Sequence, residues 1–361
     1  MNMNKTQLQT ALLSIAVLAL LAGAWHFGII ATPDLGAGAG GLAFGLAGIV
    51  GGQMTPGQAR VIDPILTTVA QGYKNGQMVA DFLFPVVPVD QRGGKIIQFG
   101  KEDFRLFSTI RAPGADTKRV QYGYAGLPYS LDQHALEAVV PFELQGEASA
   151  VPGIDLARVS IGKTQNVIAL AREYAAAQLA TNAANYDNNH KLTLAGADKW
   201  SDYGGTSDPS KNIDDAIEAV RATTGRRPNV VELSPAAFKA ARRHPKILEN
   251  FKYTGRDSLT LEMLAAHWNV QHVVVGDAVF DGGNGFADVW GKDVVVAFTE
   301  LGTLADQGLP SYGYTYRLRG FPTVETPYEA RGAKSMIYPV TDELQPVLAS
   351  AISGFLIKNA A

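Results

Sequence analysis

The chain has 361 residues, a formal net charge of −3 and 18% charged residues, below the roughly 25% of ordinary soluble domains. Its length fits two modest domains or one elaborated one, and its charge predicts neither nucleic-acid wrapping nor strong avoidance of it. It has no cysteine, which excludes disulfides, thiolate nucleophiles and thiolate metal ligands.

The charge deficit sits at the N-terminus, where Lys5 and Asp34 are the only acids and bases before Arg60. Residues 11–31 (ALLSIAVLALLAGAWHFGIIA) hold no Asp, Glu, Lys or Arg. Three readings stand for residues 1–53. Lys5, the apolar run and Ala22-Gly23-Ala24 spell a secretory signal with its cleavage site. About 20 apolar residues also match the hydrocarbon core of a bilayer, with Trp25 and His26 awkwardly deep in the span. The third is a segment packed against protein. Glycine-rich Leu35–Gly52 has the small-xxx-small spacings Gly41/Gly45 and Gly48/Gly52, which suit close helix packing or a flexible arm. Gly36-Ala37-Gly38-Ala39-Gly40-Gly41 spells G-x-G-x-x-G but lacks the flanking strand, helix and later acid of a dinucleotide site.

A boundary falls near Met54. Residues 54–94 read as an N-terminal arm, with a helical turn over Ile65–Val69. Phe82–Val89 reads as an extended segment that its prolines keep out of mid-sheet positions. Lys95–Leu131 reads as a long hairpin around the turn cluster Ala112–Asp116, with charged and aromatic residues alternating along its arms. A lone two-stranded hairpin is marginal in water, so this one is expected to lie on a neighbouring chain. Candidate contact residues are Arg105, Arg111, Lys118 and Arg119, meeting acids of the neighbour, with Phe104 and Phe107.

Ile154–Tyr186 carries the longest helical pattern, with Leu156, Val159, Val167, Leu170, Tyr174 and Ala177 at three- and four-residue steps. Its Gly162-Lys163-Thr164 is a phosphate-loop fragment without the companion glycine, so Lys163 reads as a solvated helix residue. Residues 187–211 are a loop or small hairpin. An α/β block follows: a helix over Ile213–Thr224 capped by Asn212 and ended by Gly225; a strand at Asn229–Leu233; a helix from Ser234-Pro235; another from Ser258; and strands at Val273–Val275 and Val289–Phe298. Tyr312–Arg319 alternates as a strand, and residues 333–338 and 347–357 read as further strands, the last also compatible with helix.

No catalytic, cofactor or metal site is visible. The six histidines show no paired metal spacing, and no G-x-S-x-G elbow occurs. Arg226-Arg227 and Arg242-Arg243-His244 form a modest basic patch, read as a solvated face before a phosphate or subunit contact. What is visible is architecture: arms that bury their apolar faces only on another copy.

The run RVIDPILTTVAQGYKNGQMVADFLFPVVPVD, then KEDFRL, RAPGA, GRRPNVVELSPAAFKAARRHPKI, DVWGKDVVV and SYGYTYR resembles the major capsid proteins of tailed bacteriophages, with the Hong Kong ninety-seven capsid fold that encapsulins share. The resemblance covers about five-sixths of the chain, from Arg60 onward. It implies an α+β phage capsid fold: an apolar Gly-rich extension at 1–53, an N-terminal arm at 54–94, an extended hairpin loop at 95–131, a peripheral domain with its spine helix at 132–211, an α/β axial domain at 212–310, and a return to the peripheral domain at 311–361. It implies a non-enzymatic structural subunit, without cofactor. That subunit would form hexamers and pentamers of itself in the virion capsid, assembled in the host cytoplasm with scaffold and portal proteins and touching double-stranded DNA non-specifically. An encapsulin-like shell and a membrane-anchored or exported binding protein are the alternatives. Residues 1–53 have no counterpart in the resemblance. They are expected to be absent from the particle (through a start at Met54 or removal) or buried in it, rather than to span a membrane.

Overall fold

The computed structural model describes residues 78–98, 109–111, 116–117, 119, 125–149, 155–252, 259–283, 285–300 and 311–361. The chain divides into two units at Thr55/Pro56, and every described residue belongs to the second. The apolar run 11–31 and the turn at Ile65–Val69 lie outside the described residues, and no described helix is long and apolar enough to cross a membrane.

Where extended chain was expected at Phe82, the first described element is a single helical turn, α1 (Ala80–Leu83), which buries Leu83 and Phe84. β1 (Val86–Val89) then pairs on one side only, parallel to a later strand, an edge place that tolerates Pro88. β2 (Gly93–Gln98) and β3 (Ala125–Ser130) pair antiparallel from Gly93↔Ser130 to Gln98↔Ala125, which is the base of the expected hairpin. β4 (Asp132–Pro141) and helix α2 (Phe142–Ser149) lead to the long helix α3 (Leu156–Ala180).

Asp155 caps α3 by accepting from the Arg158 amide, and its 25 residues span roughly 37 Å. The helix stops six residues before the expected Tyr186. Asn182 turns extended, and its side chain accepts from the Ala184 amide, starting a separate turn. Of the expected apolar positions Ala177 is buried and Leu156 and Leu170 pack against the cores, but three are not inside. Ile161, Gln165, Ile168, Arg172, Glu173, Ala176, Ala177 and Ala180 are inside, while Val159 (47% exposed), Val167 (54%) and Tyr174 (39%) face outward. Ile161 and Ile168 face the first sheet, small Ala176, Ala177 and Ala180 let the C-terminal half approach the second, and Glu173 and Arg172 find partners in the Val79 and Ala80 amides and in Asp81.

β5 (Lys191–Thr193) lies in the segment expected to be a loop or small hairpin, and joins a sheet instead. Helix α4 (Pro209–Thr224) starts earlier than expected. Its cap is Asp208, accepting from the Lys211 amide, with Pro209 at the first position, whereas Asn212 accepts from the Trp200 indole. Gly225 ends it at φ +68°, as its position predicts. β6 (Val230–Leu233) precedes α5 (Pro235–Arg243), capped by Ser234, and α6 (Pro245–Phe251), capped by the His244 ring. α7 (Leu261–Trp268) is capped by Thr260; Ser258 lies outside the described residues. β7 (His272–Val275), β8 (Val279–Asp281), β9 (Phe286–Asp288) and β10 (Val294–Ala297) follow, and Lys292-Asp293 form the turn before β10 rather than mid-strand residues. The tail contributes β11 (Gly313–Leu318), β12 (Thr323–Val324), β13 (Tyr328–Ala330), β14 (Ser335–Leu348) and β15 (Gly354–Lys358).

Two main sheets result. In the first, β14 is central and pairs β4, β11, β12 and β13, with β1 beyond β11. β14 runs unbroken through Pro346, because the Thr315 amide opposite bonds Pro85 on the far side and no cross-strand bond is lost. In the second sheet the order is β5-β15-β10-β6-β7. The last strand therefore leaves the sheet to which residues 311–361 were expected to return. Phe355 and Ile357 face one core and Leu356 the other, and such an all-apolar strand suits a sheet covered on both sides.

Helices α4 to α7 cover one face of the second sheet, around Trp200, Ile213, Leu233 and Trp268. The C-terminal half of α3 and the described part of the arm from Val79 to Phe84 cover the other, around Leu83, Phe84, Trp290 and Tyr312. The N-terminal half of α3 packs on the first sheet through Ile161 and Ile168 against Val140, Tyr338 and Val340. A Cβ on Gly276 would stand 2.1 Å from the Trp290 ring, so only glycine lets the chain pass that indole.

Candidate assembly surfaces

The hairpin base is bolted to the first sheet. The Leu131 amide donates to the Arg92 carbonyl at 2.8 Å. The Arg92 guanidinium donates in a fork to the Glu343 carboxylate of β14 at 2.7 and 2.9 Å, and Gln133 Nε2 donates to the same group at 3.1 Å. Tyr129 of β3 stacks on Tyr316 of β11 at 4.7 Å, and Arg319 pairs with Asp90 at 2.6 Å. The direction in which the hairpin leaves the body is thereby set by β14 and β11. Arg92 is mostly exposed but Glu343 is buried, so Arg92→Ala is expected to cost roughly 1–2 kcal/mol, with Arg92→Lys recovering only part because one ammonium cannot fork. Denaturant midpoints of the three proteins check this; equal midpoints for Arg92→Ala and the native chain would remove the anchor.

Of the six hairpin residues singled out from the sequence, Arg111 and Arg119 are exposed, and Phe104, Arg105, Phe107 and Lys118 lie outside the described residues. The structure does expose apolar residues along α3, at Val159 and Val167, and others at Leu136 and Val139 on opposite faces of β4 and at Leu144 on α2. Lys163 is exposed on the same helix, as expected of a solvated lysine. In the basic patch Arg226, Arg227, Arg242 and Arg243 are exposed, but His244 is buried against Ser207 at 2.9 Å and does not belong to it.

The described histidines are each engaged with a neighbour in the fold. His190 Nδ1 meets Asp187 at 2.7 Å and Nε2 meets Thr223 at 2.9 Å. That Asp–His–Thr order resembles a catalytic relay. However, His190 is buried and the Thr223 oxygen lies 3.0 Å from the Ala219 carbonyl of its own helix, so the chain clamps the segment before β5 to α4. His267 bonds Ser210, His272 packs on Phe82, and His134 stands opposite Asp342 in the β4–β14 ladder. Among the described residues no group of three or more His, Asp or Glu is placed to hold a metal ion.

Sequence reasoning missed a buried acid cluster where arm, long helix and second sheet meet. Glu173 of α3 accepts from the Val79 amide at 3.0 Å, the Ala80 amide at 2.9 Å and the Trp290 indole at 2.8 Å. Burial raises its pKa, and these donors with Arg172 pull it back. Glu232, in the middle of β6, is fully buried with neither carboxylate oxygen hydrogen-bonded. Burial, then the nearby Glu173 and Asp293 charges, push its pKa well above the ordinary range. The Tyr186 and Tyr312 hydroxyls bond each other close by, and burial raises both. The signal was legible: NVVEL places an acid in a strand whose other residues are apolar on both faces.

Comparison with known proteins gives one consistent picture. Residues 167–312 match the family described as Phage major capsid protein E. The chain is 36% identical over 305 residues to the major capsid protein of Burkholderia phage BcepMu, covering 83% of this chain and 97% of that one. It is 30% identical over 228 residues to the major capsid protein of Pseudomonas phage JBD67, covering 60% and 69%. Among solved structures, a phage-related protein of Bordetella bronchiseptica RB50 is 46% identical, with a TM-score of 0.72 over 84% of this chain and 98% of that one.

Proposed function

The chain belongs to the family of phage major capsid proteins, and from that premise we propose that its copies assemble as hexamers and pentamers into an icosahedral shell enclosing double-stranded DNA. Its role is structural and its place is the virion. The observation that carries the proposal is 36% identity along 97% of a phage major capsid protein. In this reading residues 95–131 lie over a neighbouring subunit, with Arg105, Arg111, Lys118 and Arg119 meeting its acids and Phe104 and Phe107 packing on it. The forked Arg92–Glu343 anchor supports that role, since an arm that must find a neighbour needs a fixed point of departure. Residues 132–211 with most of 311–361 form the peripheral body, and 212–310 the axial one around which rings close. Scaffold and portal proteins, and assembly in the host cytoplasm, complete the proposal.

Expression of the full chain with its scaffold, followed by negative-stain microscopy, tests it. Closed shells containing nuclease-protected double-stranded DNA are expected in infected cells. Monomers or small discrete oligomers alone would overturn the reading, and shells filled with a protein cargo would replace it with an encapsulin-like compartment. N-terminal sequencing of the particles reads whether residues 1–53 are in them.

A further inference from the structure

The small hairpin β8–β9 presents an unpartnered face. Its register sets Val279 beside Asp288 and Asp281 beside Phe286 on one side, with Phe280 and Ala287 on the other. Phe280 is the inward residue, packing edge-on against Tyr174 at 4.9 Å. The outward side therefore carries Val279, Phe286 (81% exposed), Asp281 and Asp288. Residues 276–291 add Asp277 and contain no base. Core packing of Ala278, Phe280 and Val289 holds the hairpin on one side and leaves Phe286 and Val279 adjacent and uncovered on the other.

The opposite chemistry occurs elsewhere on the same chain. The α5–α6 pair exposes Lys239, Arg242 and Arg243, and within residues 235–252 the only acid is Glu249. Lys246 of that pair is already engaged with Asp208 at 3.2 Å. Exposed apolar groups sit among the cations: Leu248 on α6 (45%) and Tyr203, whose ring packs against His244 between the two helices. The two surfaces cannot meet within one chain. α5 and α6 cover one face of the second sheet, while Phe280, Ala278 and Val289 of the hairpin belong to the core on the other.

We propose that the β8–β9 hairpin of one copy docks on the α5–α6 corner of the next, Phe286 and Val279 against Leu248 and Tyr203, with Asp281 and Asp288 facing Arg242 and Arg243. The occupant is a second copy because, among the described residues, the chain itself carries a surface matched to the hairpin in charge and in apolar content. Two different patches meeting make a head-to-tail contact, which repeats from copy to copy and closes into a ring when the rotation allows. This rests on the shell-forming reading and assigns the contact within a ring.

The chain contains no cysteine, so introduced thiols report without background. A full-length chain carrying Phe286→Cys and Leu248→Cys, treated with a short bis-maleimide, is expected to give a covalent ladder of dimer, trimer and higher rungs, while each single variant stays monomeric. Asp281→Lys with Asp288→Lys is expected to reduce the ladder at least tenfold, and adding Arg242→Glu with Arg243→Glu to restore it. Circular dichroism and denaturant midpoints confirm that the variants fold. Particles without a ladder would overturn the contact and leave the shell reading standing; a ladder without closed particles supports the contact while that reading falls. Absence of both overturns both, as does a dimer from Phe286→Cys alone for the contact.

Discussion

Glu173→Ala is expected to destabilise the subunit by about 3–5 kcal/mol. Three donors lose their acceptor at once: the Val79 and Ala80 amides at the start of α1 and the Trp290 indole. An orphaned buried donor costs about 1–3 kcal/mol, and donors sharing one group do not add fully. Glu173 is fully buried, so water does not substitute. Glu173→Gln keeps the shape and one acceptor oxygen while turning an NH2 toward the remaining donors, and is expected to cost about 1–2 kcal/mol. Because two of the donors belong to the arm and the third to the turn before β10, the loss is expected to loosen the arm first. Urea midpoints measure the energy, and limited proteolysis near Met78 reads where it is felt. An alanine variant within 1 kcal/mol of the native chain would mean that Glu173 does not hold the three parts together.

The second large effect is on pH dependence, through Glu232. In the folded state burial and the Glu173 and Asp293 charges raise its pKa; the Tyr186 and Tyr312 hydroxyls, themselves raised, supply no positive charge. The folded chain thus holds this proton more tightly than the unfolded one. The stability Glu232 confers is full below the ordinary carboxylate pKa of about 4.3 and is lost as pH rises toward the raised value. Within that window the slope approaches about −1.4 kcal/mol per pH unit for one proton. Glu173, Asp293 and Asp342 are also raised and slope the same way. The diagnostic is therefore the difference between the native chain and Glu232→Leu. Leucine removes the ionisation and fills the site, so the variant is expected to match or trail the native chain at pH 4, to gain on it as pH rises toward the raised value, and to hold that gain beyond it. Denaturant midpoints across that range check it; parallel curves would show that folding does not shift the Glu232 pKa.

These two acids mark where reading by pattern fails. Ser234-Pro235 and Gly225 were legible because a cap and a left-handed φ are local demands met by local residues. The edge position of Pro88 followed from its missing amide hydrogen. The inner face of α3 was legible only in part. Val159 and Val167 are more apolar than Ala176, Ala177 and Ala180, yet the close approach of the C-terminal half of α3 to the second sheet places the small side chains inside. Asn212 was chosen as a cap over Asp208 because the amphipathic pattern starts at Ile213. The sheet, through Trp200, needed Asn212 within the helix.

The sequence by itself determined the family, the order of arm, hairpin, long helix, α/β block and β tail, and the break in composition near Met54. Each is written in residue types and their spacing along the chain. Only the tertiary structure decided that β5 and β15 complete the second sheet, that Glu343 anchors the hairpin through Arg92, and that Glu173 joins arm, helix and sheet. Those are pairings between residues up to 251 positions apart, and no local preference encodes which distant partner a strand edge or a buried carboxylate meets. The two matched surfaces of β8–β9 and α5–α6 belong to the same class. Their charges are plain in the sequence, but that they lie on opposite sides of one sheet, and so face a neighbour rather than each other, is a property of the fold.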